Sequence, residues 1–258
     1  MLLVIDAGNT NIALALFKGD EKIGEWRCAT DPRRTADEYA VWFFELLRLA
    51  EIDRTEINSA VLASVVPDAT FNLTRFCTQH CEAEPLIVGD PSVDLDLVVA
   101  TEKPEEVGAD RLVNTISARD SYDLPAVVLD FGTATTFDVI NANGAYMGGI
   151  IAPGPNLSVE ALHRAAAKLP QIDIKPPPKV IGRNTINAMQ SGIFWGYVGL
   201  IEGLLRRTAE ELAVDHLTVI ATGGLGGLFA EHISAIQHYD PDLTLRGLKI
   251  IHDRNRAA

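Results

Sequence analysis

The sequence predicts an α/β protein built as two halves that open alike, with a cleft between them. Three observations carry this reading. One pattern occurs twice, 124 positions apart, close to half of the 258 residues. Strand-length apolar runs alternate with helix-length amphipathic ones. The composition, 47% hydrophobic and 22% charged, is that of a globular chain and excludes disorder.

The first copy of the pattern is Leu2-Leu-Val-Ile-Asp6-Ala-Gly8-Asn9-Thr10-Asn11 followed by Ile12-Ala-Leu-Ala-Leu-Phe17. The second is Ala126-Val-Val-Leu-Asp130-Phe-Gly132-Thr133-Ala134-Thr135-Thr136 followed by Phe137-Asp-Val-Ile140. Each reads as a β-hairpin: a Val/Ile/Leu-rich strand, Asp-x-Gly, small polar residues, then a second strand. Glycine stands where the chain must turn tightly.

The elements between and after follow in order. A helix is expected over Thr35–Ala50, a strand over Ser59–Val66, a helix over Asp68–Cys81 and a strand over Leu86–Val88. Another helix opens at Asp110-Arg111 and runs through Asn114 and Ser117. The turn-rich stretch Asp120–Pro125 divides the chain into residues 1–120 and 121–258. Pro170–Gly182 is expected to be a long loop, stiffened by Pro176–Pro178. Thr185–Leu212 reads as one helix. A strand at Val219 then leads through the Gly-rich Thr222–Gly227 into a helical segment, Leu228–Ile236.

The helix over Thr185–Leu212 is unusual. Gly192, Gly196, Gly199 and Gly203 recur at spacings of four, three and four, on one face. Each mid-helix glycine costs about 1 kcal/mol against alanine. Their presence calls for another helix in close approach, from within the chain or from a second copy. Ile193, Phe194, Trp195, Tyr197, Val198, Leu200 and Ile201 make the helix apolar nearly all round, as expected for burial on more than one side. We read it as core plus a homodimer face.

Charge and cysteines narrow the class further. Lys plus Arg is 22 against 35 Asp plus Glu, a formal net charge of −13. Duplex nucleic acid and anionic membrane both select basic surfaces, so neither is an expected partner. Asp6 ends the N-terminal apolar run and no basic segment precedes it, so no signal peptide is expected. No apolar run reaches the length of a membrane helix. Three cysteines, Cys28, Cys77 and Cys81, read as reduced thiols of a cytoplasmic protein. Cys77-Thr-Gln-His80-Cys81 has no second ligand pair at zinc-site spacing. It reads as one helix with two cysteines facing inward.

Familiar devices are missing: G-x-x-x-x-G-K-[ST], strand–G-x-G-x-x-G–helix, G-x-S-x-G and H-E-x-x-H do not occur. The paired hairpins are the candidate phosphate device. A glycine turn exposes backbone N–H groups, and Asn9, Thr10, Thr133, Thr135 and Thr136 add donors. Asp6 and Asp130 are then placed to hold a cation or its waters beside phosphates. Thr222-Gly223-Gly224-Leu225-Gly226-Gly227 offers flat backbone for a nucleotide base or ribose. In Gly108-Ala109-Asp110-Arg111, glycine allows a turn and Asp110 starts a helix. Such a carboxylate takes a proton from a hydroxyl nucleophile, or merely caps the helix. Arg111 is suited to a substrate carboxylate or a transferring phosphate.

Taken together these segments resemble the type III pantothenate kinases, of the acetate and sugar kinase, Hsp70 and actin superfamily. Asp6-x-Gly-Asn-Thr10-Asn11 resembles the family's N-terminal ATP motif. Gly108-Ala109-Asp110-Arg111 resembles its substrate and catalytic motif, and Asp130-Phe-Gly-Thr133-Ala-Thr135 its second phosphate and cation motif. Gly182-Arg-Asn184-Thr185 with Ala188-Met-Gln-Ser-Gly192 resembles its second substrate motif. Ala221-Thr-Gly-Gly224-Leu and Asp240-Pro-Asp-Leu-Thr-Leu245-Arg-Gly-Leu also match, so the likeness spans essentially the whole chain.

The resemblance implies duplicated actin-like (ribonuclease H-like) halves. It implies transfer of the ATP γ-phosphoryl to pantothenate, giving 4′-phosphopantothenate at the opening of coenzyme A synthesis. It implies a homodimer that uses Mg-ATP and a monovalent cation, potassium or ammonium. By position, Asp110 would be the base. Gly108, Ala109, Asp110, Arg111 and Thr185 would contact pantothenate. Asp6, Ala7, Gly8, Asn9, Thr10, Asn11, Ile12, Ala13 and Thr133 would contact ATP, and Asp130 would bind the monovalent cation.

Two departures are visible. Thr101-Glu-Lys-Pro104 stands where relatives often carry an Asp-Asn-Pro run. Ile12-Ala-Leu-Ala15 lacks a glycine that relatives often place there. Neither removes a proposed catalytic group. Two other functions remain compatible with the residues: a kinase of the same fold for another small hydroxyl compound, and a nucleotide-binding accessory protein acting on a partner. The presence of Asp6, Asp110 and Asp130 weighs against the second.

Overall fold

The structure, a computed structural model, describes residues 1–165 and 169–256. The chain opens with three antiparallel strands, β1 (Leu2–Ala7), β2 (Asn11–Lys18) and β3 (Glu21–Ala29). Helix α1 (Ala36–Leu49), strand β4 (Ser59–Ser64), helix α2 (Pro67–His80) and strand β5 (Pro85–Ile87) follow. Helix α3 (Ala109–Ser121) comes next. The pattern then restarts with β6 (Ala126–Phe131), β7 (Ala134–Ile140) and β8 (Tyr146–Pro153). Helices α4 (Pro155–Ala165) and α5 (Thr185–Leu212) lead to β9 (Thr218–Gly223), α6 (Gly226–Ala230), β10 (His238–Tyr239) and α7 (Leu243–Arg256).

The duplication is borne out strand by strand. One sheet has the order β3-β2-β1-β4-β5 and the other β8-β7-β6-β9-β10. In each, three strands run as an antiparallel meander and two more join parallel to the first. The hairpins differ by one residue. Four residues separate the last pair Ala7/Ile12, and three separate Phe131/Thr135.

The chain forms two compact units: Met1–Leu97 with Lys103–Asp120 and Asp242–Ala258, and Val98–Glu102 with Ser121–Pro241. A single cut after residue 120 therefore differs from this grouping at two places. Helix α7 packs on β1 and β4, burying Leu245, Leu248 and Ile251 with Val4, Val61, Val113 and Ile116. Gly247 permits this approach, because a Cβ there would collide with the Val113 carbonyl oxygen. Val98–Glu102 lies along the second sheet, where Tyr146 N–H donates to the Val98 carbonyl and Ala100 N–H to the Tyr146 carbonyl. Residues 166–168 and 257–258 of the expected second half lie outside the described residues.

Alternation along the strands builds the core. In the first unit Leu3 and Ile5 face α1 and α2, meeting Tyr39, Phe43 and Phe76, whereas Leu2 and Val4 face the opposite layer. In the second, Val127, Leu129 and Phe131 pack on Phe194, Val198, Ile201 and Phe229. Thr35 caps α1 in a reciprocal box. Glu38 N–H donates to the Thr35 hydroxyl (3.3 Å) and Thr35 N–H to the Glu38 carboxylate (2.8 Å). Cys77 and Cys81 are both buried at the inner side of α2. Burial raises both thiols, Cys81 to about 12, which disfavours the reactive thiolate. Among the described residues no helix is long and apolar enough to cross a membrane.

One expectation needs correction. The helix expected over Leu228–Ile236 ends at Ala230. Phe229, Ile233 and Ile236 are buried as a helical pattern requires. The chain must nevertheless return within a few residues to pair β10 with β9, which leaves no room for further helical turns. The glycine face of α5 is open at three of its four positions. A Cβ at Gly192, Gly196 or Gly199 would meet nothing within 4 Å among the described residues.

Candidate active site

In the first unit the site begins where β1 ends. Ala7 is buried and its carbonyl accepts from Val65 N–H at 3.1 Å. Gly8 N–H donates across the turn to the Asn11 carbonyl at 3.0 Å, so Asn9, Thr10 and Asn11 project outward and are exposed. Ile12 is buried and Ala13 pairs with Asp6. Asp6 is thus carried on a strand held on both sides, by β2 and β4. This is a rigid mount for a carboxylate at a strand's C-terminal end, where ligands of α/β sheets gather.

Asp110 lies in the same unit, in the first turn of α3. Gly108 takes the N-terminal flanking position, and its carbonyl accepts from Arg111 N–H (3.1 Å) and Leu112 N–H (3.3 Å). Asp110 is therefore inside the helix, not its N-cap. Its Oδ1 accepts from Arg111 N–H at 2.9 Å. The carboxyl folds back over Gly108, where a Cβ would lie 2.7 Å from Oδ1 and 3.7 Å from Val65 Cγ1. Val65 in turn bonds Ala7, so the Gly108 motif and the first turn share one end of the sheet. Burial pushes the Asp110 carboxyl above its ordinary value, and the Arg111 N–H and guanidinium pull it back only in part. A half-buried carboxylate of raised basicity is suited to accepting a proton.

The second unit repeats the turn with different packing. Asp130 sits on β6, paired with Thr136 on one side and Thr222 on the other. Gly132 and Thr133 are exposed. Gly223, at φ +83°, presses on the carboxyl, and a Cβ there would lie 2.6 Å from Asp130 Oδ1 and 2.7 Å from Phe131 N. Gly154 closes the other side, donating its N–H to the Thr133 carbonyl at 3.1 Å. Neither Gly223 against Asp130 nor Gly154 against Thr133 was read from the sequence. Only the Pro153-Gly-Pro155 run signals a forced turn at the second.

The third Gly-rich stretch is partly occupied. The Tyr239 ring lies on Gly226 and Gly227, with a Cβ of Gly226 2.9 Å from Cε2, so this backbone is not free to meet a base. Gly224 alone of these is open, with nothing within 4 Å. Thr185 begins α5 and is exposed. Asn184 caps it, its Oδ1 accepting from Asn187 N–H at 2.8 Å. Gly182 abuts the Asn187–Ala188 backbone, where any Cβ would collide. The Gly182–Thr185 motif is thereby fixed to the helix start.

The family model for type III pantothenate kinases matches residues 2–207, which takes in both turns, the Gly108–Arg111 motif and Thr185. The chain belongs to the type III pantothenate kinase family. A type III pantothenate kinase of Paramagnetospirillum magneticum is 58% identical over 255 residues, covering 99% of this chain and 98% of that one. One from Rhodospirillum centenum is 55% identical over 260 residues, covering all of both. As a pantothenate kinase the chain is an ATP-dependent transferase, making 4′-phosphopantothenate at the first step of coenzyme A biosynthesis.

Solved structures agree on the fold. A Campylobacter jejuni protein assigned to the Baf family of transcriptional activators matches with TM-score 0.62 at 20% identity, covering 99% of this chain and 100% of that one. A Sinorhizobium meliloti protein assigned as a 2-dehydro-3-deoxygalactonokinase matches with TM-score 0.61 at 12% identity, covering 98% and 96%. At such identities the likeness concerns the two-unit α/β fold alone.

Proposed function

We propose that Asp110 is the base of pantothenate phosphorylation in this chain. The single observation that carries this is the Asp110 carboxyl folded over Gly108 and raised in basicity by burial. The pantothenate hydroxyl oxygen forms the new bond to the γ-phosphorus as the bond to the ADP oxygen breaks. Asp110 orients that hydroxyl and takes its proton late, because phosphoryl transfer needs positioning and charge neutralisation more than a strong base. Gly108, Ala109, Arg111 and Thr185 contact pantothenate, with Arg111 suited to its carboxylate. Asp6 to Ala13 and Thr133 contact Mg-ATP, with exposed turn residues such as Asn9, Thr10 and Thr133 offering amides and hydroxyls to the phosphates.

Asp130 is the proposed ligand of a potassium or ammonium ion. The reading is supported by the mount of the carboxyl, on a strand paired on both sides at Thr136 and Thr222, with the Gly223 backbone packed against it and Gly132 beside it. Such an ion, when bound, supplies positive charge next to the phosphates. In Gly108→Ala the new Cβ meets the movable end of Asp110, so the fold survives while the carboxyl shifts. A misplacement of this size is expected to lower kcat by about tenfold to a hundredfold with ATP binding unchanged. Steady-state kinetics with calorimetric ATP binding check this.

The proposed assembly is a homodimer through α5. The open glycine face at Gly192, Gly196 and Gly199 supports it, since helices approach most closely over glycine. At Gly196 a Cβ meets nothing within 4 Å among the described residues, so the test variant is Gly196→Leu. It is expected to turn a dimer into a folded monomer in size-exclusion chromatography with light scattering. A monomeric parent protein contradicts the assembly. The reaction and the cation role are tested by ADP release with pantothenate, Mg-ATP, and potassium or sodium as the only monovalent ion. Release that needs both pantothenate and potassium is expected. Release that ignores the ion overturns the Asp130 role.

A further inference from the structure

Both hairpin turns are braced from the same topological position. In each unit the residue just after the third strand of the meander donates its N–H to a carbonyl of the turn between the first two. Thr30, following β3, donates to the Thr10 carbonyl at 2.9 Å. Gly154, following β8, donates to the Thr133 carbonyl at 3.1 Å. Counted back from the second strand of each hairpin, Thr10 and Thr133 occupy the same place.

Thr30 adds a bond that Gly154 cannot. Its hydroxyl donates to the Gly8 carbonyl at 2.6 Å. The longer first turn, with one more residue, is therefore gripped at both ends, at Gly8 and at Thr10. Both gripped groups are carbonyls. With these oxygens turned toward Thr30, the opposite edges of the same peptides are their N–H edges.

We propose that Thr30 is a positioning residue for ATP, setting the first turn so that its amides, not its carbonyls, face the phosphates. This rests on the reading that Asp6–Ala13 contacts ATP. Thr30→Val keeps the shape and the N–H bond to Thr10 and removes only the hydroxyl bond to Gly8. Loss of one such bond is expected to raise the KM for Mg-ATP about threefold to tenfold. The KM for pantothenate and kcat stay within about twofold, since the Asp110 arrangement is untouched. Thr30→Ser restores the KM for Mg-ATP, which a merely structural role for the β-branched side chain would not produce.

Asp6→Asn is measured alongside. A raised KM for Mg-ATP in Asp6→Asn and in Thr30→Val, with rescue by serine, supports the proposal. A raised KM in Asp6→Asn with none in Thr30→Val overturns the Thr30 role and leaves the ATP reading standing. No change in either overturns both. Equal rises in both substrates' KM for Thr30→Val, unrescued by serine, also overturn the positioning role.

Discussion

Asp110→Asn is expected to lower kcat by about a hundredfold or more while Mg-ATP still binds, the usual loss when a general base is removed. The amide keeps the size of the carboxyl and sits over the same Gly108, but it accepts no proton. The variant is also expected to fold. The folded-state value of Asp110 is raised above the ordinary 3.8. Stability from this group is present below that value and lost as pH rises through the folded one. At neutral pH its charge is therefore a cost, and asparagine removes it. The same shift predicts that kcat/KM falls on the acid side with a midpoint above 3.8, and that this limb is absent from the residual activity of Asp110→Asn. Rate profiles across pH, with thermal denaturation of both proteins, check the three statements together. Near-normal turnover in the variant would remove Asp110 from the chemistry.

Gly223→Ala is expected to cost stability on two counts. At φ +83° an L side chain is strained, by about 1–3 kcal/mol. The new Cβ also lies 2.6 Å from Asp130 Oδ1, 2.7 Å from Phe131 N and 2.8 Å from Phe131 C. The Phe131 backbone belongs to β6, which is paired on both sides and has no room to yield. Overpacking of this kind adds about 1–3 kcal/mol. Each kcal/mol lowers Tm by about 2–4 °C in a chain of this size. The displaced carboxyl is expected to weaken potassium activation as well. Gly224→Ala is the matched control, because a Cβ there meets nothing within 4 Å. A Tm for Gly223→Ala equal to that of the control would contradict the close packing on Asp130.

What was legible in the sequence is what local chemistry specifies. The hairpins were readable because Asp-x-Gly follows apolar runs. Helix α1, expected over Thr35–Ala50, runs Ala36–Leu49 between those two residues as its caps, and α5 matches its expected span at both ends. The inward face of Cys77 and Cys81 followed from their spacing of four. Strand β3 was missed because Glu21, Lys22, Glu25 and Arg27 interrupt any apolar run on a half-buried edge strand. Strand β8 hides behind Gly148 and Gly149. Helix α7 carries no local sign that it returns to the first sheet, since that depends on Gly247 meeting Val113 from far along the chain. The site divides in the same way. The Asp110 motif and both turns lie in contiguous segments. The contacts that shape them, Gly223 on Asp130 and Thr30 on Gly8, join residues brought together only by sheet order. The overread helix beyond Ala230 has a related cause: Ile233 and Ile236 are buried in irregular chain after α6, and periodicity does not distinguish that from helix.

The most direct test is mass spectrometry of the product formed from pantothenate and Mg-ATP in potassium buffer, by the parent protein and by Asp110→Asn. The parent protein should form 4′-phosphopantothenate in equal amount to ADP, and the variant should form almost none. ADP released by the parent protein without phosphopantothenate, or equal product from the variant, would contradict the assignment of this chemistry to Asp110 and pantothenate.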